Sequence, residues 1–279
     1  MALANQARKH RTVIALDSIK MSAIILDGHK TPVLLLHGNS SHGDIFRHQV
    51  AALQAAGHGC IVPDLPGHGR SEDAANPEAT YSFPGYANIL RKLLNRLGVN
   101  TYHVVGWSLG GHIGIELWYA DACAKSLLIT GTPPTHLSPG GAARAFNSSS
   151  TMNLAGTRSF GPAEVVDYGT AMTGARLDRR SRLARAITRA DGNARQWMMK
   201  NSLAGIGTDQ VKAVGECDRP LGIVQGRRDP FVNILYLQSL KYNNLWLRQP
   251  MLVDAGHAPH VEKPQLFNRH LREFLSQVD

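Results

Sequence analysis

The chain has 279 residues, of which 43% are hydrophobic, 18% charged and 6% aromatic. This composition is typical of folded globular proteins and excludes the disordered class. The three cysteines, Cys60, Cys123 and Cys217, are widely spaced and odd in number, so they predict no disulfide framework. The apolar runs fall short of the roughly 18 residues of a membrane span, and the charged start MALANQARKHR lacks the apolar stretch of a signal peptide. We therefore expect a cytoplasmic protein that does not associate with membranes.

The formal net charge of +9 comes from 30 Lys and Arg against 21 Asp and Glu, and part of it lies in one segment. Residues 176–195 contain seven arginines and two aspartates. Leu183, Ile187 and Ala194 recur there at helical spacing, which predicts one amphipathic helix with a basic, solvated face. Neither a nucleic-acid-binding motif nor interleaved aromatic residues accompany the arginines, so we expect no nucleic-acid partner.

Apolar runs and amphipathic segments alternate along the chain. In chain order we predict two strands within 12–36, a helix over 44–56, a strand from 60, a helix over 86–98, a strand from 102, a helix after 108, a strand at 126–130, a mainly helical segment to about 212, strands at 220–226 and within 247–257, and a helix over 264–277. Such alternation predicts an α/β protein with a mostly parallel central sheet and helices on both faces. We predict a core formed by residues 1–132 and 213–279. Residues 133–212 are predicted to form an inserted helical cap over the sheet edge where such proteins bind ligands.

The segment Gly106-Trp107-Ser108-Leu109-Gly110 lies between a predicted strand and a predicted helix, and it matches the G-x-S-x-G nucleophile elbow. The tight turn needs small residues on either side of the serine, because larger side chains there would clash. Ser108 is therefore the candidate nucleophile. It precedes a helix whose N-terminal dipole favours developing negative charge.

A serine hydroxyl needs a base that takes its proton and an acid that orients the base. With this elbow, the acid and then the histidine follow the serine along the chain. His257, in AGHAP after the last predicted strand, is the candidate base, and His260 is its nearby rival. His112, four residues after Ser108, is predicted to be a packed or hydrogen-bonded core histidine. Three loop histidines are interpreted as structural or peripheral: His37, His42 and His68.

The acid is expected after one of two strands, at 126–130 or at 220–226. No Asp or Glu occurs between Asp121 and Glu164, so the first position is excluded. Asp229, in GRRDP directly after the second strand, is therefore the candidate acid.

The oxyanion of a tetrahedral intermediate needs two backbone N–H donors near the nucleophile. The first is expected from Leu109, the residue after Ser108. The second is expected from the loop HGNSS at 37–41, with Asn39 as the donor.

The chain resembles the α/β-hydrolase fold throughout, and within it the N-acyl-homoserine lactonases of the AidH type, which are quorum-quenching enzymes. The matching blocks are HGNSSHGDIF (37–46), PDLPGHGRS (63–71), GWSLGGHIGIE (106–116), ITGTPP (129–134), ADGNAR (190–195), GRRDPFV (226–232) and AGHAP (255–259). These blocks span most of the chain, cap included. The HG, elbow and GH motifs are generic, whereas HGNSS, GWSLGGHIGIE and ITGTPP together are more particular.

The resemblance implies the same triad and oxyanion hole, and it adds a cap tyrosine beside the ligand, which falls on Tyr168 in VVDYGT. We therefore predict these site residues: catalytic Ser108, Asp229 and His257, oxyanion-hole Asn39 and Leu109, and substrate-binding Tyr168 and Trp107. One departure is Asp229, because we expect Glu at the acid position of the close relatives. Either carboxylate orients a histidine, so this departure concerns the substrate more than the triad.

The activity implied by the resemblance is hydrolysis of the lactone ring of N-acyl-homoserine lactones to N-acyl-homoserines. We expect no metal or other cofactor, because motifs such as H-x-H-x-D-H or H-E-x-x-H are absent from the sequence. We also expect a monomer or small homo-oligomer. An acyl-chain tunnel is expected among the apolar cap residues Leu154, Val165, Val166, Met172, Met198 and Met199.

Two alternative functions remain open: a carboxylesterase acting on another small ester, and a ligand-sensing protein with a slow triad. Ser108 argues against epoxide hydrolase and haloalkane dehalogenase chemistry, which needs a carboxylate at the elbow.

Overall fold

The computed structural model describes residues 10–279 and centres on one eight-stranded sheet. The strands are β1 (His10–Leu16), β2 (Ile19–Leu26), β3 (Lys30–Leu36), β4 (His58–Pro63), β5 (Tyr102–Trp107), β6 (Ala124–Thr130), β7 (Leu221–Gly226) and β8 (Met251–Val253). Their order across the sheet is β1-β2-β4-β3-β5-β6-β7-β8. β2 pairs antiparallel with β1 and β4, and all the other neighbouring strands pair in parallel. The predicted mostly parallel sheet is thus confirmed.

Helices and short 3-10 turns connect the strands. The α-helices are α1 (Arg47–Ala55), α2 (Pro77–Thr80), α3 (Phe83–Arg96), α4 (Leu109–Ala120), α5 (Pro139–Ala145), α6 (Ser150–Asn153), α7 (Pro162–Thr173), α8 (Arg182–Arg189), α9 (Gly192–Leu203), α10 (Gln210–Glu216), α11 (Ile234–Ser239), α12 (Pro259–Glu262) and α13 (Pro264–Val278). The 3-10 helices are Gly43–Phe46, Leu154–Gly156 and Trp246–Arg248. Across residues 10–279, no helix combines the length and apolarity that a bilayer crossing requires.

The uninterrupted apolar run of β3 is explained by burial on both faces of the sheet. Leu34 and Leu36 belong to one buried cluster, with residues of α3 and α4. Val33 and Leu35 belong to a second cluster, with residues of α1 and α13. Because successive strand residues point to opposite faces, a strand covered on both sides needs apolar residues at every position.

The segment 12–36 was predicted to hold two strands. This prediction was wrong, because most of β1 and all of β2 and β3 lie within it. The turn between β1 and β2 consists of Asp17 and Ser18, so it lacks the Gly or Pro that marks most tight turns. β2 is also buried almost throughout. Its pattern therefore lacks the polar alternation of a half-exposed strand.

The basic segment 176–195 was predicted as one helix, but it contains two, since α8 ends at Arg189 and α9 begins at Gly192. Asp191 caps α9, and its carboxylate accepts a hydrogen bond from the Asn193 N–H at 2.9 Å. An N-cap aspartate followed by glycine is a start signal for a new helix. Arg195 is 3% exposed and therefore does not belong to the solvated basic face.

Candidate active site

Ser108 occupies the sharp turn between β5 and α4, with backbone angles φ 54° and ψ −120°. A positive φ is strained for a residue other than glycine. The turn closes only because its neighbours lack side chains. A Cβ on Gly106 would overlap the Gly110 carbonyl, and a Cβ on Gly110 would overlap the carbonyl of Leu36. The predicted nucleophile elbow therefore has the backbone geometry that its sequence pattern indicates.

His257 and Asp229 meet on the loops that follow β8 and β7. The Nδ1 atom of His257 lies 2.8 Å from Oδ2 of Asp229, and both residues are buried. Ser108 and His257 line the same cavity. The three residues predicted as a triad are thus brought to one place, with Asp229 behind His257.

The Asp229 carboxylate is surrounded by donors. Its Oδ2 also accepts from Gln225 Nε2 at 2.8 Å. Its Oδ1 accepts from the N–H groups of Phe231 at 2.8 Å and Val232 at 3.2 Å. Burial by itself raises the pKa of Asp229, but the His257 charge and these hydrogen bonds outweigh it and hold the pKa below its ordinary value. An ionised carboxylate only accepts, so Nδ1 of His257 donates and Nε2 is left as the basic nitrogen.

Trp107 does not take the predicted role of a substrate contact. It is fully buried away from the cavity lining, in the cluster that also contains Val105. Its indole Nε1 donates to the His257 carbonyl at 2.9 Å. Because successive side chains of β5 alternate between faces, Trp107 lies with Val105 behind the site. Trp107 therefore supports the loop of the candidate base.

Glu262, at the end of α12, is a site residue that the sequence reasoning missed. Its Oε2 accepts from the Gly256 N–H at 2.8 Å, and its Oε1 accepts from the Ala258 N–H at 3.2 Å. The carboxylate therefore clamps the backbone on both sides of His257. The sequence signal was an acidic residue shortly after the AGHAP motif, but nothing in the pattern indicates which N–H groups it binds.

We expect Glu262→Gln to lower the free energy of unfolding by about 1 to 2 kcal/mol. Each carboxylate oxygen of Glu262 accepts from one backbone N–H, whereas a glutamine side chain has a single oxygen, so one of the two N–H groups loses its acceptor. The His257 loop should also be held less firmly, so kcat should fall about tenfold. Chemical denaturation and steady-state kinetics measure both effects. Glu273→Gln is the matched control, since that half-exposed side chain lies on the surface of α13. Equal behaviour of the two variants would contradict the clamp.

The two predicted oxyanion donors both border the cavity beside Ser108. Neither the Leu109 N–H nor the Asn39 N–H donates to any residue within 10–279. The Asn39 side chain is already engaged, since its Nδ2 donates to the Ala155 carbonyl at 2.8 Å and its Oδ1 accepts from Ser40 Oγ at 3.3 Å. These contacts orient the loop so that its backbone remains available as a donor.

Arg195 links the predicted cap to this loop from inside. Its guanidinium donates to the carbonyls of Thr157 at 2.6 Å and Arg158 at 2.8 Å, and to Ser40 Oγ at 3.3 Å. The charged group lies 4.4 Å from the centre of the Phe160 ring, a cation–π distance. The buried cation therefore fixes the segment around Thr157 against Ser40, the residue that follows Asn39.

The cavity is predominantly apolar, and helices of the predicted cap form much of its lining. Of the residues predicted to form an acyl tunnel, Met172, Met198 and Met199 line it. The other three, Leu154, Val165 and Val166, do not line it. Tyr168, predicted to contact the substrate, lines the cavity, and burial raises the pKa of its hydroxyl, which therefore stays protonated.

Three of the other histidines considered from the sequence, His37, His112 and His260, are buried and held by structural contacts. His260 packs among aromatic rings, and burial lowers its pKa to about 3. The Nε2 of His37 accepts from the Leu65 N–H at 2.9 Å. His112 is hydrogen-bonded to Gln210, as predicted for a core histidine, although it also lines the cavity. Residues 10–279 contain no group of three or more His, Cys, Asp or Glu arranged to hold a metal ion.

Known proteins resemble the chain over most of its length. AidH, an N-acyl homoserine lactonase, has been solved as a serine-to-glycine variant in complex with N-hexanoyl homoserine lactone. That structure is 34% identical in sequence, covers 97% of this chain and 100% of its own, and superposes with a TM-score of 0.91.

Curated relatives give broader matches. The 2-hydroxy-6-oxononadienedioate/2-hydroxy-6-oxononatrienedioate hydrolase of Klebsiella pneumoniae is 25% identical over 273 residues, 90% of this chain and 89% of that protein. A haloalkane dehalogenase of Psychrobacter cryohalolentis is 40% identical over 86 residues, and the match spans only 31% of this chain and 28% of that protein. Residues 33–270 match the alpha/beta hydrolase family. The fold is accordingly the α/β-hydrolase fold, and the chain belongs to the α/β hydrolase family.

Proposed function

We propose that the protein is a serine hydrolase that opens the lactone ring of N-acyl-homoserine lactones and releases N-acyl-homoserines. One observation carries the proposal. Ser108 and His257 line one apolar cavity, with Asp229 bonded behind His257, in a chain that is 34% identical to the lactonase AidH over nearly its full length. Because such lactones are signal molecules, the proposed biological role is quorum quenching.

In the first half of the reaction, Ser108 Oγ attacks the carbonyl carbon of the ring. Nε2 of His257 takes the hydroxyl proton, and the Asp229 carboxylate stabilises the imidazolium that forms. Negative charge then develops on the former carbonyl oxygen. The backbone N–H groups of Leu109 and Asn39 are the proposed donors to this oxyanion.

In the second half, the tetrahedral intermediate collapses and the bond to the ring oxygen breaks. The imidazolium of His257 returns its proton to that oxygen, which leaves as an alcohol. Because the substrate is cyclic, this alcohol stays attached to the acyl group now esterified to Ser108. A water molecule that His257 deprotonates attacks this ester. The His257 imidazolium then returns the proton to Ser108 Oγ as the bond to the acyl group breaks, which releases N-acyl-homoserine and restores the serine.

The cap residues that line the cavity suit an aliphatic tail. Methionine side chains such as Met172, Met198 and Met199 adapt to chains of different shape, because they are unbranched and polarizable. Burial of each methylene group of the tail contributes about 0.8 kcal/mol. The buried, protonated hydroxyl of Tyr168 supplies one polar group in the same cavity, where we propose that it contacts the substrate.

Product analysis separates lactone opening from cleavage of the chain amide. We expect attack at the ring, because an alkoxide leaves more readily than an amine. The product should be one water heavier than the substrate, without free fatty acid, and acidification should close it again to the lactone. Mass spectrometry before and after acidification makes this test, with simple carboxylic esters as comparison substrates. Free homoserine lactone among the products would contradict the proposal, and turnover of simple esters alone would favour a carboxylesterase.

A further inference from the structure

Two histidines that line the cavity have no part in the proposed triad, the buried His112 and the exposed His136. His112 lies one turn after Ser108, on α4, and both residues line the same cavity. Helical side chains lean toward the N-terminus of their helix, and Ser108 is the N-cap at that end of α4. The His112 side chain therefore leans toward the end of α4 at which the candidate nucleophile lies.

Hydrogen bonds determine which ring nitrogen of His112 carries the proton. Its Nδ1 lies 2.8 Å from Oε1 of Gln210. Two backbone groups orient the Gln210 amide, because Oε1 accepts from the Thr135 N–H at 3.4 Å and Nε2 donates to the His112 carbonyl at 3.5 Å. Since Oε1 can only accept, Nδ1 of His112 is the donor. Its Nε2 therefore carries a lone pair.

This lone pair has no partner in the part of the chain that the structure describes. Nε2 of His112 makes no hydrogen bond to residues 10–279, and it is not among the polar atoms sealed from solvent. The ring stacks on Phe83 with centroids 5.1 Å apart and planes at 10°, and Phe146 lies at 5.9 Å. Burial lowers the pKa of His112 to about 4, so the imidazole is neutral at pH 7. The cavity thus holds a rigid acceptor among apolar groups.

We propose that Nε2 of His112 accepts a hydrogen bond from a hydroxyl on the acyl chain, and so selects 3-hydroxyacyl-homoserine lactones over 3-oxo and unsubstituted ones. The inference rests on the lactonase function proposed above. His112 follows Ser108 by four residue steps, a rise of about 6 Å along the axis of α4. In the substrate, the amide nitrogen lies only two bonds from the ring carbonyl carbon, whereas the 3-hydroxyl oxygen lies six bonds away and matches this reach.

The alternatives pair badly with this acceptor. A 3-oxo group is itself an acceptor, so its oxygen would face the lone pair of Nε2 without a proton between them. The hydrogen bond to Gln210 keeps the ring proton on Nδ1, so Nε2 cannot become a donor. An unsubstituted chain displaces water from Nε2 and leaves it unpaired in an apolar cavity, which costs free energy. We expect kcat/KM to favour the 3-hydroxy substrate by about tenfold to a hundredfold over either analogue of equal length.

The test measures kcat/KM for the three lactones with the wild type and two matched variants. His112→Phe keeps an aromatic ring against Phe83 but removes the acceptor, so the preference for the 3-hydroxy chain should disappear. His136→Phe changes another cavity histidine, one that is bound to Asp209, and should keep the preference. Gln210→Met frees the His112 tautomer, so discrimination against the 3-oxo chain should shrink while turnover persists.

The failures of the two proposals are distinguishable. Turnover of all three lactones without a 3-hydroxy preference, or a preference that survives in His112→Phe, would overturn the role of His112 and leave the lactonase function standing. If His112→Phe does not fold, Gln210→Met serves as the test, and discrimination against the 3-oxo chain equal to that of the wild type would overturn the role of His112. Absence of turnover on every lactone would overturn the proposed function and this inference together.

Discussion

Replacement of Ser108 by alanine is expected to lower kcat by on the order of 10⁶-fold, the scale seen when the nucleophile of a serine triad is removed. Alanine cannot form the acyl-enzyme, and what remains is the rate that the oxyanion donors and substrate binding sustain by themselves. Steady-state kinetics on an N-acyl-homoserine lactone measures the effect. Activity within tenfold of the wild type would contradict the assignment of the nucleophile.

A glycine at the same position provides a control on folding. Ser108 has a φ of 54°, which alanine tolerates poorly and glycine adopts without strain. Ser108→Gly should therefore be as inactive as Ser108→Ala but more stable, by about 1 kcal/mol. Chemical denaturation of the two variants makes the comparison. Equal stability would mean that the elbow is not strained in solution.

Asp229→Asn is expected to lower kcat by on the order of 10⁴-fold. In the wild type the carboxylate accepts from His257 and from Gln225 on the same oxygen. In the variant, the backbone N–H groups of Phe231 and Val232 will hold the single amide oxygen of asparagine where Oδ1 lies in the wild type. The amide NH₂ then faces His257, which must accept at Nδ1 and carry its proton on Nε2. The histidine thereby presents a donor to Ser108 and ceases to act as a base.

Two controls accompany this variant. Asp229→Glu should retain far more activity than Asp229→Asn, because it preserves an acceptor-only group. Asp254→Asn should remain close to wild type, since that exposed side chain pairs with Arg228 at the surface. Near-wild-type activity of Asp229→Asn would mean that another carboxylate orients the base.

The features predicted best from the sequence are those in which a local pattern has one structural cause. The run Val33–Leu36 predicts a strand buried on both faces, and its side chains do divide between two cores. The glycines at 106 and 110 predict the elbow, because nothing larger fits the turn. Asp229 and His257 follow from chain order, since parallel strands deliver their following loops to the same edge of the sheet.

The features that were missed depend on contacts between distant segments. Glu262 acts through backbone N–H groups, which no side-chain pattern reveals. Arg195 has the sequence surroundings of a surface arginine, yet it is buried because the carbonyls of the segment around Thr157 satisfy its charge. Trp107 was expected at the substrate because it adjoins the nucleophile, but its side chain is buried beside Val105 and does not line the cavity. His112 was expected to be a core residue, and only the folded chain places it on the cavity wall.

The mass of the covalent intermediate tests the central claim most directly. Protein is quenched with acid during turnover of an N-acyl-homoserine lactone, and its intact mass is measured by mass spectrometry. Digestion and peptide mapping then locate the adduct. Because opening a ring loses no leaving group, we predict a mass increase equal to the whole lactone, carried on the peptide that contains Ser108. An adduct on any other residue, or an increase equal to the acyl chain alone, would contradict the account.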